Sequence, residues 1–230
     1  MLDIYIEGET IDLAIPTEEF AYSSEWYSWL NRKDITRFLE QGDFPNTPES
    51  QLNFYRTASA ERLLLVVQTK SGEAKGIVSL SFIDQKKKCC DFALLIDSFV
   101  DIRNSGISTL EATSLIIEHG FESLGMHRIQ AGQHTRLADW QHRMELIGFR
   151  LEGIHRGRFV KGLEVADSVS LAVTEKDYFR IKHYRGGSIF DSSEKMLERI
   201  RKLPNESFKL MLENFMNQTG EDYYKKIFEI

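Results

Sequence analysis

Apolar side chains at Ile107, Leu110, Ile117, Phe121 and Leu124 fall three, seven or four residues apart, with small Ser114 in the gap. This spacing predicts an amphipathic helix with one stripe turned to a core. Gly125 follows the last of these positions, where a left-handed C-cap is expected. Upstream, residues 92–96 form an unbroken apolar run suited to a buried strand. Between strand and helix lies a loop containing Gly106. Amides of a first helical turn point out of the helix end, and the helix dipole favours negative charge there. Such a junction suits a phosphate-bearing cofactor.

The pattern elsewhere builds a sheet around this element. A first strand is predicted at residues 10–14, ending before Pro16, and Thr17 caps a short helix with Glu18 and Glu19 in its first turn. Residues 25–44 read as an aromatic-rich helical segment closed by a turn at Gly42. In it Trp26, Trp29 and Leu30 share a face, and Phe38 and Leu39 form a second apolar contact. These aromatics read either as core or as a wall of a substrate cleft. Thr47 or Ser50 starts another helix running through Tyr55. Strands are predicted at 63–68, 76–83 and 89–96, the last two joined by DQKKK, which is a solvated turn or an anion contact. A short strand at 127–132, a helix at 138–147, and a hairpin of 150–159 with 164–173 through a Lys161–Gly162 turn complete the series. This order predicts an α/β (α+β) fold, a mixed sheet with helices on both faces.

Beyond residue 178 the character changes. Arg185-Gly186-Gly187-Ser188 has the composition of a linker, and three helical segments follow. Met196, Leu197, Ile200 and Leu203 form one stripe, and Phe208, Met211, Leu212 and Phe215 form a second, capped by Asn205. Tyr223, Ile227 and Phe228 close the chain. The expected division is a main domain over 1–178 and a C-terminal helical extension over 179–230. The stripes bury either against the main domain or against a second copy as a homodimer.

Composition narrows the class. The chain has 230 residues, 42% of them hydrophobic and 28% charged, as expected for a globular protein. A net charge of −6 argues against nonspecific nucleic-acid binding. No apolar run reaches the ~20 residues needed to span a bilayer, and the acidic N-terminus is unlike a secretory signal. Cys89 and Cys90 are adjacent, so on a strand they point to opposite faces and make a poor disulfide. Reduced thiols and a cytoplasmic location are the expectation. The six histidines are scattered with no metal spacing, so no metal is expected.

With these elements in order, the sequence resembles the GNAT superfamily of acyl-CoA-dependent N-acetyltransferases. The family's loop signature is Gln or Arg, two residues, Gly, one residue, then Gly or Ala. Here it stands as Arg103-Asn104-Ser105-Gly106-Ile107-Ser108, with Ser108 departing from the last landmark. LGMHRIQAG and LIGFRLEGIHRG resemble the next strand and a Gly-Phe turn, and Asp167 matches an aspartate common before the last strand. WLNRKDITRFLEQGDFPNTPE resembles a branch that includes transferases for protein N-termini and for nucleotide-linked amino sugars, and leans toward the latter. The resemblance covers residues 1–178 and implies a mainly antiparallel twisted sheet.

It also implies acetyl-CoA as cosubstrate. The pyrophosphate of coenzyme A would sit on backbone amides of residues 103–108. The backbone of Leu94, Leu95 and Ile96 would hold the pantetheine arm and stabilise the oxyanion. Transfer would be direct, to an amine that must first lose a proton. Asp91, early on that strand, and His134, just past the following one, are the candidate bases; a reference pKa of roughly 6.5 suits the imidazole to proton transfer near neutrality. Two family groups are replaced. Leu137 stands where an Asn commonly contacts pantetheine, and Trp140 stands where a hydroxyl can protonate the leaving thiolate. Met144 occupies a position where some relatives carry Tyr. Three readings follow: an acetyltransferase for a small or nucleotide-linked amine, a peptide N-terminal acetyltransferase, and a noncatalytic protein of the same fold that binds a ligand or partner. A dinucleotide fold is disfavoured, because the loop lacks the full G-x-G-x-x-G.

Overall fold

The computed structural model describes residues 2–97 and 106–230. An eight-stranded sheet runs through the molecule in the order β1-β2-β3-β4-β5-β6-β8-β7. The strands are β1 (Ile4–Glu7), β2 (Ile11–Ala14), β3 (Leu63–Thr69), β4 (Ala74–Asp84), β5 (Cys89–Ile96), β6 (Arg128–His134), β7 (Arg150–Lys161) and β8 (Glu164–Thr174). Every neighbouring pair is antiparallel except β5 and β6.

Alternation along the strands builds two cores. On β3, Leu64 and Val66 face one side, where they meet Ala21, Trp26, Trp29 and Ala58 from α1 (Glu18–Ser23), α2 (Trp26–Trp29) and α4 (Pro48–Glu61). Leu65 and Val67 face the other, larger core. There α5 (Ile107–Glu122) buries Leu110, Ile116, Ile117 and Phe121, and α6 (Ala138–Glu145) buries Met144. The stripe predicted for α5 is therefore its core face. Inside that face, Ser114 Oγ and Thr113 Oγ1 donate to the carbonyls of Leu110 and Thr109, at 2.7 and 2.8 Å, so neither hydroxyl is buried unpaired. Among the described residues no helix is long and apolar enough to cross a membrane.

Three elements differ from the sequence reading. Residues 25–44 contain α2 and α3 (Lys33–Thr36) rather than one helix. Asn31 accepts from the Asn46 amide at 2.7 Å and donates to its carbonyl at 2.8 Å, and Arg32 adopts an extended conformation. These side chain–backbone bonds compete with the helical ladder and break it. The second helix of the region continues to Glu61, because Leu52, Tyr55 and Ala58 extend its buried stripe past Tyr55. Strand β1 adds a short edge to β2 that the Gly8 interruption concealed.

The C-terminal region is tied to the main body. Helix α7 (Glu175–Tyr184) contains residue 178, and the fully buried Tyr178 stacks on Phe121 of α5 at 4.7 Å. Instead of a free linker, Arg185–Ser188 forms a tight turn. Its Arg185 guanidinium donates to the carbonyls of Leu146, at 2.6 Å, and Ile189. Ser188 Oγ and the Ile189 amide both reach Glu118 of α5, at 2.9 and 2.7 Å. Ile189, Phe190 and Met196, the last on α8 (Ser193–Arg201), complete the larger core. Asp191 pairs with Arg199 along α8, and this guanidinium holds the Asp191 carboxyl down at about 2. The first C-terminal stripe thus buries against the main domain.

The second does so only in part. In α9 (Phe208–Phe215), Leu212 reaches the larger core and Glu213 accepts from Thr135 Oγ1 at 3.1 Å. After a π-helical turn at Met216–Gly220, every residue of α10 (Glu221–Phe228) is exposed.

Candidate active-site cleft

The single parallel junction of the sheet creates the cleft. Strands β5 and β6 pair only at Cys89↔Arg128, Cys90↔Ile129 and Asp91↔Gln130. Beyond those pairs β5 continues to Ile96 and β6 to His134, and the two diverge. Into the gap open Phe92, Ala93, Leu94 and Ile96 of β5, Ala131, Gly132 and Gln133 of β6, Gly106 and Thr109 at the start of α5, and Leu137, Trp140 and Arg143 around α6. Phe38 and Leu39 close one side. The resulting cleft has a volume of about 400 Å³.

Ladder alternation decides which backbone groups of β5 face this space. Lys88 C=O accepts from His127 N–H at 2.6 Å, and Asp97 N–H donates to Lys75 C=O on the β4 side at 2.8 Å. Backbone groups alternate along a strand. Even-numbered residues of β5 therefore direct N–H and C=O toward β6, and odd-numbered residues direct them toward β4. With no β6 partner beyond Asp91, Leu94 and Ile96 present their backbone groups to the cleft. Leu95 spends its backbone on β4 and turns its side chain to the smaller core.

The other end of the cleft is the N-terminus of α5. Gly106 caps it at φ 68, a left-handed conformation that side chains resist. The first helical bond runs from Leu110 N–H to Gly106 C=O, 3.0 Å, so the amides before it are directed out of the helix end. Ile107 is core, and Ser108 Oγ lies 3.2 Å from Thr10 Oγ1, away from the lining of the cleft. Arg103, Asn104 and Ser105 lie outside the described residues. Arg143, whose guanidinium has no ion-pair partner among the described residues, places a positive charge in the same cleft. The sequence reading passed over it, because only the fold brings the second turn of α6 to the start of α5.

Neither candidate base lies among the residues lining this space. Asp91 Oδ1 accepts from Gln130 Nε2 at 2.7 Å at the closed end of the β5–β6 pair. His134 is buried, packed between Phe38 and Phe159 with ring centroids 4.8 and 4.5 Å away. Its Nδ1 accepts the Arg136 amide at 3.0 Å, which leaves the proton on Nε2, 3.6 Å from Glu164 Oε1. Burial lowers its pKa, the Glu164 carboxylate opposing, so the ring is held neutral. With Nδ1 already an acceptor and Nε2 protonated, His134 has no basic lone pair to offer; it buttresses Phe38.

Leu137 and Trp140 do face the cleft, Trp140 also packing on the larger core. Met144 is fully buried and receives Gln133 Nε2 on its sulfur at 2.8 Å. This orients Gln133, whose buried Oε1 has no hydrogen-bond partner among the described residues. Elsewhere on β5, burial pushes the Cys90 thiol up to about 12, so it is no nucleophile near neutrality.

No family profile and no curated protein matches this sequence. Solved structures do match in fold. A GCN5-related N-acetyltransferase from Brucella melitensis superposes with a TM-score of 0.66 at 21% identity, over 86% of this chain and 94% of that one. The microcin C7 self-immunity acetyltransferase MccE, in complex with acetyl-CoA and AMP, matches at 0.61 and 17% identity over 73% and 93% of the chains. A spermidine N-acetyltransferase from Vibrio cholerae, in complex with CoA and spermine, matches at 0.61 and 16% over 75% and 99%. The chain therefore has the fold of the GNAT N-acetyltransferases, carrying a C-terminal helical extension.

Proposed function

We propose that this chain is an acyl-CoA-dependent N-acetyltransferase that moves the acetyl group of acetyl-CoA to a primary amine. The observation that carries the reading is the divergence of β5 from β6 beside the N-terminus of α5. It sets an apolar slot with strand backbone directed away from β4 next to a helix end and an arginine that has no ion-pair partner among the described residues. That sequence of environments fits coenzyme A from thioester to pyrophosphate. Residues 103–108 and Arg143 hold the phosphates. Backbone of Leu94 and Ile96 holds the amide-bearing arm, and Gln133 Oε1 is an acceptor for an N–H of it. The same strand amides aim at the oxyanion. Acetyl-CoA supplies the activated acyl group.

Among the described residues the cleft lining contains no carboxylate and no imidazole. Proton removal then runs through water, and the site favours an amine that is already partly neutral. An α-amine, with a reference pKa of about 7.7–8.0, meets that condition better than an ε-amine at about 10.4. The N-terminal resemblance points to a nucleotide-linked amino sugar as acceptor, with a peptide N-terminus as the alternative. With acetyl-CoA present, an amine panel should release free thiol at a rate above the buffer background. Binding of acetyl-CoA without thiol release from any amine would replace the transferase with a ligand-binding protein of this fold.

The exposed arm supports a homodimer. Along residues 221–226 the order is Glu-Asp-Tyr-Tyr-Lys-Lys, all exposed. At 100° per residue these four charged side chains turn away from the tyrosines, so a second copy that packs on the tyrosine side leaves the charges in solvent. The exposed Tyr223, Tyr224, Ile227 and Phe228 lie on one arc of α10, and a helix this short needs tertiary burial to be stable. The extension over 179–230 is thus part core and part dimer arm. Light scattering should give twice the chain mass, and the double substitution Tyr224→Glu with Ile227→Glu, at the centre of the arc, should shift it to one chain. A single-chain mass for the unsubstituted protein would remove the dimer.

A further inference from the structure

A second cavity of about 320 Å³ opens on the opposite face of β5, and the two share Leu39, Ala93 and Leu94. They meet where the strand leaves β6. Walls of the second cavity come from the smaller core: Trp26 of α2, Phe54 of α4, and Leu64 and Ile77 of the sheet. Trp26 and Phe54 stand edge to face with centroids 6.0 Å apart.

The polar part of this wall is one-sided in charge. The chain is acidic overall, with 35 Asp and Glu residues, yet among the described residues none of them lines either cavity. Arg62, at the end of α4, is the cation of the second cavity. Its guanidinium lies over the Phe54 ring at 5.5 Å, its Nε is buried without a hydrogen-bond partner, and no carboxylate among the described residues pairs with it. Gln51, about three turns earlier on α4, also lines the cavity and is 1% exposed. Its Oε1 is used by Asn46 Nδ2 at 2.8 Å, and its Nε2 has no partner. A buried donor left unpaired is costly. Two such donors belong to residues that line one cavity, one of them a cation with no carboxylate partner among the described residues, and an acceptor group brought by a ligand would relieve both.

Resting on the transferase reading, we propose that this cavity is the acceptor subsite and that it selects an amine bearing an anionic group, phosphate or carboxylate. Arg62 is its charge partner, Gln51 Nε2 a second donor, and Trp26 and Phe54 the surface for the planar or ring portion. The reacting amine reaches the acyl-bearing cleft at Ala93 and Leu94. A polycationic amine finds no carboxylate here and meets Arg62 instead.

The test uses the full chain with acetyl-CoA and matched pairs of amines: glucosamine 6-phosphate with glucosamine, 4-aminobenzoate with aniline, and spermidine alone. Thiol release gives kcat/KM for each, and amine-induced Tm shifts give binding. In at least one pair the anionic member should exceed its uncharged match by about tenfold or more, since charge-assisted bonds are the strong ones. The phosphate and carboxylate pairs tell the two anion sources apart. Arg62→Gln should collapse that ratio toward one through KM, with the acetyl-CoA-induced Tm shift retained as proof that the fold and cleft survive. A preference for spermidine, equal rates within both pairs, or an unchanged ratio in Arg62→Gln would overturn the subsite. If no amine reacts, the anionic amines must still raise Tm in the unsubstituted chain and lose that effect in Arg62→Gln, or the subsite falls. Absence of any acetyl-CoA shift in the unsubstituted chain is a different outcome: it removes the transferase reading on which the subsite rests.

Discussion

Gly106→Val is expected to abolish the rise in Tm that saturating acetyl-CoA gives this chain. A ligand that binds only the folded state stabilises it by about 2.7 kcal/mol at a hundred times its Kd. For a protein of this length that corresponds to a Tm increase of about 5–10 °C. Gly106 is left-handed at φ 68 and caps α5. A β-branched residue there either reverts to an ordinary φ, which swings the first-turn amides away from the phosphates, or places its side chain where the pyrophosphate approaches. The strain itself costs about 1–2 kcal/mol, so the diagnostic quantity is the ligand-induced shift and not the Tm of the free protein. Gly125→Val is the matched control: Gly125 is also left-handed, at φ 64, with nothing within 4 Å of an added Cβ. It should lower Tm by a similar amount and keep the acetyl-CoA shift. Retention of the shift in Gly106→Val would show that the α5 end does not hold the cosubstrate.

Lys161→Met should weaken the fold and the cleft together. The Lys161 ammonium, at the tip of the β7–β8 hairpin, donates to the carbonyls of Thr36, Leu39 and Gln41 at 2.7, 2.9 and 2.5 Å. It thereby fixes the segment carrying Phe38 and Leu39, which closes the cleft and shields His134. Methionine preserves the apolar stem and removes all three bonds. The carbonyls are partly rehydrated, so the expected loss is about 2–3 kcal/mol rather than three full charge-assisted bonds. Urea unfolding should show it as a lower midpoint at unchanged m. The apparent Kd for acetyl-CoA should rise by about tenfold as the wall loosens, through the smaller fraction of binding-competent protein. Lys161→Arg, which keeps a cation within reach, should recover part of both effects. A normal Kd in Lys161→Met would mean that the wall is held by apolar contacts alone.

Much of this architecture was legible because it depends on local pattern. The period of α5, the cap at Thr17, the alternation in β3 and the Lys161–Gly162 hairpin are set by neighbours within a few residues. They appear in the sequence as spacing. The loop-to-helix junction at Gly106 was legible for the same reason, and it remains the centre of the cleft. Residues 25–44 were misread as one helix because Asn31 and Asn46, fifteen positions apart, trade hydrogen bonds that only the folded chain brings together.

The chemistry of the cleft was decided elsewhere. Residue type and position along the chain mark Asp91 and His134 as candidate bases, and neither property fixes where a side chain's lone pairs point. Tertiary packing commits Asp91 to Gln130 and buries His134 between Phe38 and Phe159, and the turn after β6 gives His134 Nδ1 to the Arg136 amide. Arg143 and Arg62 carried no motif. They stand out because the described wall residues around each include no carboxylate. By itself the sequence determined most of the strands and helices and the glycine turn at the start of α5, since short-range sterics and amphipathic period specify them. The sheet order, the divergence of β5 from β6 and the charge of the two cavities belong to the tertiary structure, because each depends on residues distant in sequence meeting across the sheet.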